Sequence, residues 1–206
     1  MSDEPSEQLA QAGLLAAVHG RASVRRFLPD PVPREDVTAM VELAVRAANA
    51  GNAQMWRFVA VDEAIDEMAT GPELAGNGKE LKALRVYATF FVEAPLVMAV
   101  FGLPYVSHAD EMLRAHGVGA EDRDRLRARP DLQSIGAAVQ LFCTAAHALG
   151  YGSCWMVAPV LAAPAIEELL GVGPPAKLVA VVPLGRPAGA VTPSSRRPAA
   201  EVLEFR

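Results

Sequence analysis

The sequence predicts an α+β fold, built as a single domain over residues 1–206 and completed by a second copy of the chain. Three observations carry this. The runs PLVMAVFG (Pro95–Gly102) and KLVAVVPLG (Lys177–Gly185) read as strands, the first continuous and apolar as in a strand buried on both faces. Helical spacing of apolar residues recurs in several longer stretches. The strands are too few, and the helices too many, for a sheet that covers its own faces and edges, which favours a homodimer.

The elements follow in order. Glu7–His19 reads as a first helix ended by Gly20, and the prolines of LPDPVP then forbid regular helix. A second helix starts near Arg34, with Glu35 and Asp36 at the positive end of its dipole. Its buried face is Val37, Met40, Val41, Ala44, Val45 and Ala48. A loop of small and amide residues, ANAGNAQMW, leads into the strand Arg57–Val61. Helices are expected at Ile65–Ala69 and from Lys79 to about Phe91. Residues 107–132 are highly charged and read as an exposed helical insertion or cover over the active site. Ser134–Leu149 is an apolar helix rich in small side chains, suited to the core or to packing against its own copy. GSCWMV reads as a strand after a Gly150/Gly152 turn, and Pro164–Leu170 as a short helix. The tail ends in the alternating AEVLEF.

Composition bounds the function. Of 206 residues, 51% are hydrophobic and 21% charged, enough for a sizeable core. The formal net charge of −5 argues against a sequence-independent nucleic-acid binder, which needs a broad basic face. Two cysteines make no disulfide framework and fit a reducing compartment. The acidic N-terminus has no apolar signal region, and the runs Ala94–Leu103 and Ile135–Leu149 fall short of the ~20 residues of a membrane helix. A soluble, cytoplasmic protein that binds neither nucleic acid nor membrane is expected.

Against this acidic background, RASVRRF gathers three arginines and a serine. In an extended segment Arg21, Ser23 and Arg25 point the same way and Arg26 the other. Two guanidinium groups and a hydroxyl then suit a phosphate monoester. A solvated basic patch paired with Glu35 or Asp36 is the other reading. Asn49, Asn52 and Gln54 place three amides beside Trp56, able to meet a heteroaromatic ring edge or to make Asx-type turns. His147 sits on an apolar helix as a core histidine would. There is no metal-ligand spacing, no Gly-x-Gly-x-x-Gly, no Gly-x-Ser-x-Gly and no paired carboxylates. No side chain is assigned as catalytic, so an enzyme built this way takes its reactivity from a cofactor.

In this order the segments resemble the FMN-dependent nitroreductase family, from about Arg21 to Arg197. The matching pieces are Arg21-Ala-Ser23-Val-Arg25, Asn52-Ala-Gln54-Met-Trp56-Arg-Phe58 and a helix from Gly136 onward. Leu149-Gly150-Tyr151-Gly152-Ser153, Gly185-Arg186-Pro187 and Arg196-Arg197-Pro198 complete the series. The resemblance implies a nitroreductase-like fold, a central, mostly antiparallel sheet flanked by helices, in an intertwined homodimer with C-terminal strand exchange. It implies FMN held by Arg21, Ala22, Ser23, Arg25 and Arg196. The loop of Ala48, Asn49, Ala50 and Asn52 would reach the flavin bound mainly by the other subunit. The backbone N–H groups of Val157 and Ala158 would face flavin N5 and O4.

NADH or NADPH would be the reductant, and a nitroaromatic, a quinone or another conjugated compound the acceptor, in two alternating half-reactions. Reductive dehalogenation, flavin fragmentation and dehydrogenation are other chemistries of the same fold, and a flavin-storing or sensing dimer is the alternative outside catalysis. Tyr105 is the nearest ring to the insertion that could stack on a substrate. Met55 replaces a common proline, and Val157-Ala158 replaces the Glu-Gly pair of several members. Replacing Arg21 or Arg25 by Ala is expected to weaken FMN retention far more than folding. Flavin occupancy at low FMN, set beside a thermal melt, measures both.

Overall fold

The structure, a computed structural model, describes residues 13–69 and 85–206. Residues 13–20 form α1, the described part of the predicted first helix. Helix α2 (Arg34–Ala44) buries Val37, Met40 and Ala44. It ends before Ala48, which is exposed, and Ala47 is buried in its place. Strand β1 (Trp56–Val61) is followed by a 3₁₀ helix at Ile65–Ala69. Of the helix expected from Lys79, residues 79–84 lie outside the described residues. Residues 85–89 are α-helical (α3) and pass into a 3₁₀ turn at Phe90–Glu93.

Strand β2 (Leu96–Gly102) is central, paired antiparallel with β1 on one side and with β4 (Lys177–Gly185) on the other. The predicted strand GSCWMV shrinks to β3 (Gly152–Ser153), with one further bridge from Met156 to Val181. Cys154 and Met156 are buried while Trp155 and Val157 turn outward, so the segment alternates like a strand, but beyond β4 its pairing among the described residues is limited to the Ser23–Ser153 bridge. The sheet order is β1-β2-β4-β3, all antiparallel.

The sheet is covered on both faces. Met98, Val100, Ala180, Val182 and Leu184 pack under α2 and α6 (Pro130–Ala148), against Met40, Val139 and Phe142. Val97, Ala99, Phe101 and Val181 pack on the other side against Phe91, Met68 and Ile166, the last from α7 (Ala163–Leu169). The continuous apolar sequence of β2 is thus required, because each residue of either parity meets a core. Pro130 opens α6 at a position where its missing N–H costs nothing.

The charged stretch forms a helical hairpin, α4 (His108–Ala115) and α5 (Ala120–Arg127), with no buried residue in either helix. One polar knot closes it. Ser107 and Asp110 make a capping box, and Arg127 donates to Asp110 Oδ1 at 3.1 Å and to Ser107 Oγ at 2.9 Å. The Ser107 hydroxyl, together with Arg127, holds the Asp110 carboxyl below the usual carboxylate range.

The tail after β4 runs exposed, with a 3₁₀ turn at Ala199–Glu201 and no strand in the single chain. Among the described residues no helix is long and apolar enough to cross a membrane.

Glycine 152 marks the tightest approach in the sheet: a Cβ there would lie 2.6–2.8 Å from the Val24 side chain. Gly152→Ala is expected to lower stability by about 1–3 kcal/mol through overpacking, read as a lower urea midpoint; an unchanged midpoint would show that Val24 is free to move aside.

Candidate functional site

The basic segment is an extended strip clamped between two parts of the sheet. Val24 N donates to Ser153 O at 3.0 Å, so the strip lies parallel to β3. Leu28 N donates to Arg186 O at 2.8 Å, and Ala188 N to Arg26 O at 3.1 Å, so the chain leaving β4 holds the other side. Val24 and Phe27 are buried with Ala94 as anchors. The polar side chains between them are therefore turned outward.

Ser23 and Arg25 are exposed and Arg21 is half-buried. Burial pushes the nearby Cys154 thiol up, and the Arg25 guanidinium, the Ser23 hydroxyl and the Arg21 guanidinium pull it back. Arg26 departs from the expected alternation. With Ser23 and Arg25 it lines a cleft of about 450 Å³ completed by residues 188–192. The turn toward Phe27 breaks the alternation after Arg25, because Phe27 rather than Arg26 takes the inward position.

No carboxylate lines this cleft, and no ion pair of Arg21, Arg25 or Arg26 occurs among the described residues. Asp36 instead accepts from the Tyr151 hydroxyl at 2.5 Å. Neither Glu35 nor Asp36 forms an ion pair with the basic patch among the described residues. Arg25 donates weakly to Ser23 O at 3.4 Å and stands 5.9 Å from the Phe90 ring. Arg196 donates to Ser194 O and Ser195 O and is not part of the cleft wall.

The amide loop is built from helix α6. Ala50 N donates to Ser134 Oγ at 3.0 Å, and Ser134 Oγ donates to Pro130 O at 2.6 Å. Asn49 is spent locally: it accepts from Gln54 N at 2.9 Å and donates to Ala47 O at 3.2 Å. The Asx-type reading therefore holds for Asn49. Gly51, Asn52 and Gln54 have positive φ, which leaves the Asn52 and Gln54 amides exposed at a turn. Ala48, Asn49 and Ala50 line a shallow cleft of about 360 Å³ with Pro130, Gln133 and Ser134. Tyr105 is half-buried against the core with its hydroxyl facing Gly51, so it supports the loop more than it presents a free ring.

Val157 caps the 3₁₀ turn Ala158–Ala162, and the N–H groups at such a start have no acceptor within the turn. Beside it, Trp155 is 42% exposed and lies on Gly136 of α6, where a Cβ would stand 3.1 Å from the ring. Three residues escaped the sequence reading. Ser134 was hidden in an apolar run. Arg26 was assigned to the wrong side. Arg186 was read only as part of a motif, yet it stacks 4.1 Å from Tyr151 and donates to Leu149 O and Gly150 O, capping α6. Its signal was the Gly-Arg-Pro ending of β4, where a cation meets helix carbonyls. Among the described residues no cluster able to hold a metal ion occurs.

A 5,6-dimethylbenzimidazole synthase of Rhodospirillum rubrum is 31% identical over 155 residues, covering 70% of this chain and 68% of that one. A BluB-like flavoprotein of Clostridium difficile 630 superposes with a TM-score of 0.82 at 29% identity, over 94% of this chain and 98% of that one. A putative nitroreductase of Desulfovibrio desulfuricans in complex with FMN superposes with a TM-score of 0.63 at 27% identity, over 94% and 96%. The nitroreductase family's own sequence pattern matches residues 18–186, from the end of α1 to the end of β4, and so takes in the basic strip, the amide loop and the whole sheet: the chain belongs to the nitroreductase family.

Proposed function

We propose that this protein is an FMN-dependent oxidoreductase that takes reducing equivalents from NADH or NADPH and passes them to a small conjugated acceptor. The single observation that carries this reading is the cleft of Ser23, Arg25 and Arg26, cationic and without a carboxylate in its wall. A doubly ionised phosphate ester fits such a cradle, because guanidinium forks and a hydroxyl match its oxygens. Arg21, on the same strip, lies outside the cleft lining. Bound FMN would supply two-electron chemistry, reduction by the nicotinamide followed by reduction of the acceptor.

The chain's own groups bind and orient. The clamp on the strip keeps the arginines from collapsing onto the sheet. The N–H groups of Val157 and Ala158 present donors beside the exposed Trp155. The loop of Ala48, Asn49, Ala50 and Asn52 gives small side chains and a free amide at the rim. The hairpin 108–127, set against the start of α6, would cover the amide-loop end of the site rather than the arginines.

A homodimer supports this arrangement. Leu14, Leu15 and Val18 on α1 are each more than half exposed, as are Val202, Leu203 and Phe205 in the tail. The outer edge of β1 has no partner strand among the described residues, and an open edge invites one. Arg196 would enter a flavin site through this tail rather than within its own fold.

The R. rubrum and C. difficile relatives favour a second reading, fragmentation of the flavin itself. The absorption spectrum of the purified protein separates the readings. A yellow protein bleached by NADH or NADPH, whose full flavin spectrum returns in air, is the expected outcome. Flavin absorbance that fails to return, with 5,6-dimethylbenzimidazole found by mass spectrometry, would select fragmentation. A yellow protein indifferent to both nicotinamides would mark a binding dimer. Truncation after Pro198 is expected to convert the dimer to monomer in light scattering and to lower flavin retention; a dimer of full strength would refute strand exchange.

A further inference from the structure

A second cavity lies at the opposite end of the sheet from the arginine strip, where β2 ends, β4 begins and α6 starts. It measures about 220 Å³, and its floor is apolar, formed by Leu103, Ile135 and Val179 among others. Tyr105, Arg129, Asp131 and Lys177 supply the polar rim. The same four side chains also line a wetter cleft of about 320 Å³ that opens toward the helical hairpin.

Lys177 is aimed there by a β-bulge. Val100 pairs with Ala180, but Phe101 pairs with Leu178, so Val179 is one extra residue in β4. The bulge reverses the alternation of the strand's first three residues. Val181 belongs to the α7 side of the sheet, and strict alternation would put Val179 and Lys177 there too. Instead Leu178 and Ala176 join the α7 side, while Val179 packs toward α6. Lys177 follows Val179 to the α6 side.

Once there, the ammonium has no counter-ion among the described residues. Asp110 is taken by Arg127 at 3.1 Å. Asp131 and Asp124 are taken by Arg129 at 2.8 and 3.5 Å. Arg129 grips Asp131 with two nitrogens, at 3.1 and 2.8 Å, so the carboxylate at the rim is already neutralised. Lys177 has neither an ion pair nor a side-chain hydrogen bond among the described residues. Lys177 is solvent-exposed at the mouth of this cavity, so an amphiphilic anion would meet a cation and an apolar floor together.

We infer that this cavity is a binding site for a small organic monocarboxylate, its carboxylate on Lys177 and its single ring or short branched body on Ile135 and Val179. The volume lies below the ~300 Å³ at which sites for drug-sized ligands begin, which limits the occupant to that size. The site shares no residue with the arginine strip and does not depend on the flavin reading.

Isothermal titration of the full-length protein as purified, with benzoate and its neutral isostere benzamide as probes, tests this. Benzoate is expected to bind saturably, one per protomer, and benzamide at least tenfold more weakly. Lys177→Met, which keeps the length of the side chain, should weaken benzoate at least tenfold without shifting the thermal midpoint, and Lys177→Arg should restore most of the loss. Absence of saturable benzoate binding overturns the inference, as does full benzoate affinity in Lys177→Met. Neither result bears on whether the protein is yellow or is bleached by NADH, so failure here is distinct from failure of the oxidoreductase reading.

Discussion

Three main-chain hydrogen bonds decide where the charge of this protein goes. Val24 to Ser153, Leu28 to Arg186 and Ala188 to Arg26 hold the basic strip in an extended form at the rim of the sheet. Each is worth about 1 kcal/mol net, yet together they set the direction of every side chain from Arg21 to Phe27. With the strip extended, Val24 and Phe27 fill the hydrophobic pocket beside Ala94 and the arginines are left facing water. A helical conformation would scatter the same guanidinium groups around a cylinder.

The clamp in turn depends on a sheet that is apolar on both faces. Strand β4 delivers Arg186 and Ala188 to one side of the strip, and β3, joined to it by only two residue pairs, delivers Ser153 to the other. Small residues make the junction possible. Gly185 lies against Pro95 and Phe27, and Gly152 against Val24, each closer than a Cβ allows. The Gly-Arg-Pro and Gly-Tyr-Gly-Ser sequences are thus steric devices for docking the strip, and the arginine within the first ties α6 to the same corner through Tyr151. Tyr151 then reaches Asp36 on α2, so one chain of contacts runs from the strip's clamp to the helix that carries the amide loop.

At the other end of the sheet, irregularity does the positioning. The bulge at Val179 turns Lys177 toward α6, and the left-handed residues Ala128 and Arg129 bend the chain from the hairpin into α6. Such conformations in non-glycine residues each cost of order 1 kcal/mol and persist where surrounding contacts impose them; here the Arg129 fork on Asp131 does so. The two ends of the molecule differ in character. One gathers unpaired arginines on a rigid strip. The other is a web of paired charges around Lys177, which has no ion pair among the described residues.

How much of this was legible in the sequence follows from the range of each interaction. The apolar runs of β2 and β4, the face of α2 and the small-residue helix α6 were readable, because burial on one or two faces imposes its period on the residues themselves. The basic cluster was readable as a concentration of charge, since its arginines stand within seven residues of one another. Tertiary structure alone decided the rest. The shortness of β3 depends on where β4 ends. The inward turn of Phe27 depends on Ala94, and with it Arg26 joins the cleft. The Ser134 bond to the amide loop spans 84 positions. The bulge that re-aims Lys177 is a mismatch between two strands, so neither strand encodes it alone. Local composition specifies what a segment can become, whereas pairing register and long-range hydrogen bonds determine which side chains finally share a cavity.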